Sequence, residues 1–428
     1  MRSCGRLGAA DFAAAVSEGQ VRRLHARERL DEAAAADAGL GRAVRAVYYV
    51  FFGAGFAFAS WASRIPQVRD GLHLSPASLG LLLLSIAAGS LVALPLAGTV
   101  VAWLGAARTI TVMAILSAIG LAITALGYRV GVPPVVVGLF LLGVGNGTWD
   151  VAMNVEGTFV EQRLGRSILP RFHAGFSIGT VAGALLGAGM VAAGISVTVH
   201  LLLVAIVIGV GGPWAVRGFL TVTAPAHPDR ESSSHPLQAW REPRTLVLGV
   251  FVFCMAAIEG TGVDWLGVAV IDGYDASPAV GSLTLGIFLA AMTTGRWFGP
   301  ALLDRFGRVA SVRTSAVVAC GGALLVVFAW SLPFAMAGAA LWGLGSALGF
   351  PVGMSAAADD SQFAAGRVGV VTSIGYIAFL AGPPFVGLLG NAFGTLHSLI
   401  AVAGLSTAGL LLSRVLSSAP GEALRPES

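Results

Sequence analysis

Twelve long apolar segments constrain the fold of this chain more than any other feature of its 428 residues. Most come close to, or exceed, the roughly 20 residues that a helix needs to cross a hydrocarbon layer of about 30 Å. Helix is the expected state, because lipid leaves no other partner for the backbone N–H and C=O groups of such a segment. The segments fall at about 45–63, 78–101, 108–128, 133–155, 173–194, 197–219, 245–270, 279–302, 312–330, 333–355, 368–390 and 394–416.

The composition supports a membrane environment. Only 11% of the residues are charged, against roughly 25% in soluble proteins. The 58 glycines suit helices that pack closely in lipid, where small residues allow backbones to approach. We therefore predict an all-α membrane protein whose surroundings are the lipid bilayer.

The apolar segments divide into two sets of six. The polar stretch 221–244 separates them, and Gly143-Val-Gly145 in the fourth segment is echoed by Gly343-Leu-Gly345 in the tenth. A duplicated six-helix unit is typical of transporters whose halves move about a central site. We predict two pseudo-symmetric six-helix bundles, divided as an N-terminal extension 1–43, a first bundle 44–220, a linker 221–244, a second bundle 245–416 and a tail 417–428.

The distribution of arginine predicts the orientation. All 26 basic residues are Arg, and with the N-terminus inside, only Arg64, Arg69 and Arg129 fall in external loops, while Arg296 lies within a segment. Cytoplasmic loops carry an excess of basic residues. We expect a multi-pass protein of the inner or plasma membrane with both termini in the cytoplasm.

Several classes of function are excluded. The chain has no Lys, so it has no P-loop, and its arginines form no basic stripe interleaved with aromatics that would bind nucleic acid. Gly175-Phe-Ser177-Ile-Gly179 matches the nucleophile pattern of hydrolases but lacks the strand–turn–helix context. The three cysteines are widely spaced. We expect no enzymatic site, cofactor, metal or nucleic-acid partner, and a monomer.

Two motifs carry a family resemblance. The segment 304–308, DRFGR, resembles the D-R-x-G-R loop signature of the major facilitator superfamily. Its counterpart in the first half ends at Arg108 and has Ala102 in place of the acidic residue. The resemblance covers about 45–416 and implies a transporter that works by alternating access.

A finer resemblance lies in the fourth and fifth segments. Gly143-x-Gly145 followed by Asp150-x-x-x-Asn154, and then by RFH at 171–173, resembles the fucose–proton symporter branch and the YbjJ-type inner-membrane proteins. This resemblance implies a sugar-like substrate and proton coupling through the residue that maps to Asp150. The symporters also carry an acidic residue in the first segment, where this chain has Ala62.

Polar residues inside apolar segments are costly and need a reason. Asn146, Asp150 and Asn154 recur every four residues and so share one helical face. A polar face points into a bundle rather than into lipid, where it can bind a proton or a polar solute. The alternative is a hydrogen-bond network that holds helices together.

The seventh segment contributes Glu259, Asp264 and Trp265. We hypothesise that one of these carboxylates replaces the acidic residue missing from the first segment, and that Trp265 and Trp61 stack on a sugar ring. The alternatives are a solvated position for Asp264 and a place in the interfacial aromatic belt for Trp61.

Four further residues are predicted to switch conformation rather than to bind solute: Asp304, Arg305, Arg308 and Arg296. Arg296 would then form an ion pair with an acidic neighbour or contact helix-terminal carbonyls, and these contacts would explain its presence without any solute contact. The function predicted from the sequence is a proton-coupled or facilitative carrier of a small polar solute, with sugars as candidates. Two alternatives stay open: an antiporter that exports amphipathic compounds, and a non-transporting membrane sensor of the same fold.

Overall fold

The computed structural model describes residues 38–165, 168–220, 238–360 and 363–417. Within these ranges the chain is helical with short connections and contains no strand. Residues 1–37 of the predicted extension, 221–237 of the predicted linker, 418–428 of the predicted tail, and Arg166 lie outside the described residues.

Eleven helical stretches in the described ranges are long and apolar enough to cross a bilayer. One of them, Pro278–Phe328, has 51 residues, or roughly 77 Å at 1.5 Å per residue, more than twice the thickness of the hydrocarbon layer. Gly307 interrupts it with a φ of 76°, a conformation that glycine adopts without steric cost. The break makes two membrane helices of one stretch, so the predicted count of twelve is confirmed.

The first helix is itself broken. Helix α1 covers 38–62, turns at Ser63 and Arg64, and resumes as the short helix Ile65–Gly71. Pro66 stands in the first turn of the short helix, where its missing N–H costs nothing. The other helices are α2 Pro76–Leu104, α3 Ala106–Gly127, α4 Val132–Leu164, α5 Leu169–Ala192, α6 Val197–Ala215, α7 Pro243–Tyr274, α8 278–306, α9 308–328, α10 Leu332–Ser346 with Gly349–Ala357, α11 Ala364–Phe393, and α12 Thr395–Ser398 with Ile400–Leu412.

Several helices extend past the apolar segments that predicted them. Helix α4 continues nine residues beyond the predicted edge at 155, to Leu164, and α7 begins at Pro243. Hydropathy marks only the part of a helix inside the hydrocarbon layer. The backbone stays helical beyond it as long as nothing terminates the ladder of hydrogen bonds.

The two halves pack in equivalent ways. Gly143 of α4 lies against the backbone of Ile86 in α2, and its counterpart Gly343 of α10 lies against the backbone of Phe288 in α8. At each position an added Cβ would collide with a backbone carbonyl group. The sequence repeat therefore corresponds to a repeated helix contact, which confirms the prediction of two pseudo-symmetric bundles.

Glycines recur every four residues in α5, from Gly175 to Gly187, and they pack within the first half. Gly179 and Gly183 lie against the backbone of α1, at Phe52 and Phe56, with no room for a side chain. This close approach fixes α1 beside α5 along most of its length.

Candidate functional site

The two halves are joined by polar contacts at one end of the bundle, which we call the Arg69 face. Arg69, in the short helix after α1, forms an ion pair with Asp272 at the end of α7, with 2.6 Å between Nη1 and Oδ2. Thr395 at the start of α12 donates a hydrogen bond of 2.6 Å to the same carboxylate oxygen. In addition, the Ser282 hydroxyl of α8 donates to the backbone oxygen of Ser63 at 2.8 Å. First-half and second-half elements are thus tied together at this face.

Close helix contacts reinforce this junction. At the start of α2, Gly80 lies against the backbone of Pro383 and Pro384 in α11. Near the end of α11, Gly387 lies against the backbone of Pro76. These helices are antiparallel partners across the two halves, and they meet where α2 begins, which is the Arg69 face. A side chain at either glycine would push the halves apart.

The opposite end, which we call the Arg308 face, is linked differently. Arg308 holds Asp359 with distances of 2.6 and 2.8 Å from Nη1 to the two carboxylate oxygens. Arg367 of α11 pairs with Glu242 before α7, at 2.7 Å, and with Asp360 at 3.3 Å. All ion pairs found at this face among the described residues join elements of the second half to one another. None of them ties the two halves together.

The predicted polar face of α4 lies between these two ends. Asn146, Asp150 and Asn154 are all half-buried. The side-chain amide of Asn154 donates to the backbone oxygen of Asp150 at 2.8 Å and approaches its carboxylate at 3.4 Å. Tyr376 of α11 lies within electrostatic range of Asp150. Among the described residues Asp150 has no ion-pair partner.

Glu259 and Arg296 form an ion pair between α7 and α8. One guanidinium nitrogen, Nη2, lies 2.8 Å from each carboxylate oxygen. The side chains of Glu259 and Arg296 remain 18% and 29% exposed, respectively. The pair is therefore accessible, although both residues lie far from the ends of their helices. His173 of α5 is within electrostatic range of Arg296, and its ring meets that of Phe51 edge to face at 5.1 Å. The ion pair that was considered for Arg296 from the sequence is therefore present.

Asp264 occupies a different environment. It lines a pocket at the junction of the halves that is too narrow to hold a water molecule. Ala62, which stands where the symporters carry an acidic residue, lines the same pocket, together with Ser63 and Ser282. The carboxylate of α7 thus faces the position of the missing carboxylate of α1.

The two predicted stacking tryptophans are buried. Trp61 is 1% exposed and Trp265 is fully buried, and both belong to the main hydrophobic core. The indole nitrogen of Trp265 has no hydrogen-bond partner among the described residues. Neither ring presents a face to solvent in this conformation.

The predicted switch residues differ from one another. Asp304 and Arg305 are exposed, and the guanidinium of Arg305 lies 5.2 Å from the centre of the Phe306 ring. Arg308 is part of the ion pair with Asp359 described above. Of the three loop residues, only Arg308 forms an ion pair in the part of the chain that the structure describes.

Two features of the site were not predicted. Tyr376 and Phe379 form an aromatic pair on α11, with ring centres 6.2 Å apart, and Phe379 also borders Gly260 of α7. Arg64 is 1% exposed, and its Nε donates to Nδ1 of the buried His200 at 2.8 Å. Aromatic residues in α11 are unremarkable in an apolar segment, and Arg64 was predicted to lie in an external loop. The sequence carried no separate signal for either.

Within the described ranges, no three His, Cys, Asp or Glu side chains come together in a group that could hold a metal ion.

The chain was also compared with known proteins. Residues 46–361 match the family model of the Major Facilitator Superfamily. The chain belongs to the Major Facilitator Superfamily. It is therefore a multi-pass membrane transporter of that type.

Relatives within the superfamily agree with this assignment. An uncharacterised transporter, y4wD, of Sinorhizobium fredii is 34% identical over 340 residues, which cover 79% of this chain and 88% of the relative. The crystal structure of a point mutant of the nucleoside transporter NupG superposes with a TM-score of 0.71 at 16% identity, covering 87% of this chain and 99% of the other. A mutant of the Escherichia coli fucose:proton symporter FucP gives 0.60 at 16% identity, covering 88% and 98%.

Proposed function

We propose that this protein carries a small polar solute across the cell membrane by alternating access, in symport with protons, and that the solute is sugar-like. The observation that carries the proposal is the asymmetry between the two faces. The halves are joined at the Arg69 face, and the partly exposed polar residues Asp150, Glu259 and Arg296 lie beyond that junction.

This arrangement is the one expected of a carrier open on one side. We place the Arg308 face in the cytoplasm, because the basic residues concentrate in the loops of that side. The described conformation then corresponds to the inward-open state. The outward-open state would require the Arg69–Asp272 pair to separate.

The charges inside the bundle support proton coupling. Glu259 and Arg296 neutralise each other, whereas Asp150 and Asp264 have no cationic partner among the described ion pairs. A charged carboxylate in the membrane interior costs several kcal/mol. Where no cation compensates it, binding a proton is the remaining way to remove the charge. We propose that Asp264 takes up a proton when the Arg69 face opens and that Asp150 exchanges it with the Arg308 face.

The solute site is proposed between α4 and α11. The amides of Asn146 and Asn154 offer donors and acceptors for hydroxyl groups. Tyr376 and Phe379, rather than the buried Trp61 and Trp265, supply aromatic faces in this conformation. The structural neighbours named above transport a nucleoside and fucose, and both solutes combine a ring with hydroxyl groups.

The test is uptake into proteoliposomes over a panel of sugars, polyols, nucleosides and organic acids, with and without an inward proton gradient. For a transported solute, Asp150→Asn should abolish accumulation driven by the gradient while exchange of labelled for unlabelled solute continues. The matched control is Asp275→Asn, because Asp275 is exposed, lies outside the bundle interior and adopts a positive φ of 49° that Asn also tolerates.

Three results would contradict the proposal. Accumulation that survives in Asp150→Asn at the level of the Asp275→Asn control would show that Asp150 is not the proton site. Solute leaving the vesicle in exchange for entering protons would indicate the antiporter alternative. Absence of transport for every solute, together with binding of one of them, would favour the sensor alternative.

A further inference from the structure

An open groove of about 650 Å³ lies at the Arg308 face, between the α8–α9 break and the residues that follow α12. Its walls combine two arginines, Arg308 and Arg313, with the apolar side chains of Phe306 and Leu416. The transport site proposed above uses none of these residues. The groove is therefore a separate feature of the second half.

The free positive charge in the groove comes from Arg313. Its Nε donates to the Ser413 hydroxyl at 2.8 Å, which orients the guanidinium without neutralising it. No carboxylate pairs with Arg313 among the described residues. Arg308 differs, because Asp359 already compensates its charge.

Neighbouring charges add to this excess. Arg305 is exposed beside the groove-lining Phe306, and Arg244 donates a hydrogen bond of 3.2 Å to the backbone oxygen of Ser417, another lining residue. The carboxylates nearby are Asp359 and the exposed Asp304. Four arginines against two carboxylates leave the surroundings of the groove positive, so it suits an anion.

The groove also adjoins the lipid-facing surface. On the membrane side of it, α8 exposes Trp297 and Phe298, which are 63% and 61% exposed, and α12 exposes Leu411, which is 73% exposed. Arginines at the end of membrane helices, with apolar side chains directly below, match the shape of a phospholipid, whose anionic headgroup sits above its acyl chains.

We propose that this groove binds the phosphate headgroup of an anionic phospholipid. Arg313 is the principal ligand and Arg305 the second, while the acyl chains lie along the exposed surface of α8 and α12. The apolar surface favours a phospholipid over a soluble phosphate, since a soluble anion would gain nothing from Phe298 or Leu411.

The proposal is tested by titrating the detergent-purified, full-length protein with dioleoylphosphatidylglycerol or dioleoylphosphatidylcholine and counting bound lipid by native mass spectrometry. The wild type should bind phosphatidylglycerol more tightly. Arg313→Gln should weaken that binding about fivefold, and the double variant with Arg305→Gln about 25-fold, from roughly 1 kcal/mol per arginine. Arg108→Gln, which changes an exposed arginine just after the corresponding break of the first half, is the matched control and should bind like the wild type.

Arg305→Gln alone guards against a folding defect, because the exposed Arg305 has no side-chain hydrogen bond to lose among the described residues and still should weaken binding about fivefold. Equal affinity for the two lipids would overturn the proposal, as would equal losses in Arg313→Gln and Arg108→Gln. A third arm adds millimolar glycerol 3-phosphate: if it displaces the lipid completely, the groove recognises a soluble phosphate and the lipid assignment is wrong.

Discussion

The ion pair between Arg69 and Asp272 offers the sharpest test of the proposed transport cycle. In the described conformation it links the first half to the second at the Arg69 face. An outward-open state must break it. Asp272→Asn keeps the shape of the side chain and removes its charge, so it should shift the equilibrium between the two states towards the outward-open one.

The size of the shift follows from the environment of the pair. A hydrogen bond between charged groups contributes about 1.5–3 kcal/mol. The side chains of Arg69 and Asp272 are 11% and 33% exposed, so solvent screening reduces this figure, and about 1–2 kcal/mol is a reasonable loss. This corresponds to a roughly five- to thirtyfold increase in the ratio of outward-open to inward-open protein.

The fraction of protein in the outward-open state can be measured from the reactivity of a single cysteine. Ala62 is 3% exposed and lines the closed pocket beneath the junction. In a background without the three native cysteines, Ala62→Cys should react with a water-soluble maleimide only while the Arg69 face is open. The labelling rate then reports the outward-open fraction and should rise five- to thirtyfold in Asp272→Asn.

Asp70→Asn is the matched control. Asp70 accepts a hydrogen bond from the same guanidinium, at 2.8 Å from Nε, but both residues belong to the same short helix, and Asp70 is 50% exposed. Its loss leaves the contact between the halves intact, so labelling should change by less than about twofold, as for an exposed pair. If Asp272→Asn labels no faster than Asp70→Asn, the ion pair does not hold the halves together and the reasoning fails.

Three further predictions concern other contacts. Glu259→Gln or Arg296→Gln alone should lower the melting temperature more than the double variant does. Each single change leaves one charge unpaired in a half-buried site, which costs about 2 kcal/mol of stability. Additive effects in a double-mutant cycle would argue against coupling between the two residues. Gly80→Ala should speed the labelling described above, since its Cβ meets the backbone of α11, whereas Gly98→Ala in the same helix, with open space around it, should have no such effect. Partial burial opposes ionisation of Glu242, but hydrogen bonds from neighbouring side chains outweigh it and hold its pKa below the usual range. Its contribution to stability is therefore present above the usual glutamate pKa of about 4.3 and lost as the pH falls through the lowered pKa. Thermal melts of Glu242→Gln should differ from the wild type at pH 7 and converge with it as the pH falls below that lowered pKa.

The fold could be predicted because its main signals are local. Hydropathy identifies the membrane segments, and the break between α8 and α9 falls at Gly307, within the loop signature that marked it in the sequence. The repeated glycines indicated the repeated packing of α4 on α2 and α10 on α8. Each of these inferences uses residues close together in the chain.

The candidate site could be predicted only in part, for a corresponding reason. The polar face of α4 follows from the period of one helix, whereas the pairing of Glu259 with Arg296 depends on the register of two helices. Arg69 and Asp272 are 203 residues apart, and nothing in either local sequence indicates the other. The sequence does not distinguish a core role from a solute-binding role for Trp61 or Trp265, because an apolar aromatic side chain suits both roles.

The pocket beside Asp264 bears on the proposed proton coupling, because α1 carries no carboxylate at the Ala62 position. Ala62 and Asp264 line the same closed space, so a carboxylate attached to either helix would occupy nearly the same position. Coupling requires only that this position be sealed in one state and open in the other, and the junction at the Arg69 face provides the seal. The helix that carries the carboxylate is then interchangeable. On this reasoning the loss of the acidic residue at Ala62 does not argue against a symporter, provided that Asp264→Asn abolishes accumulation as Asp150→Asn does.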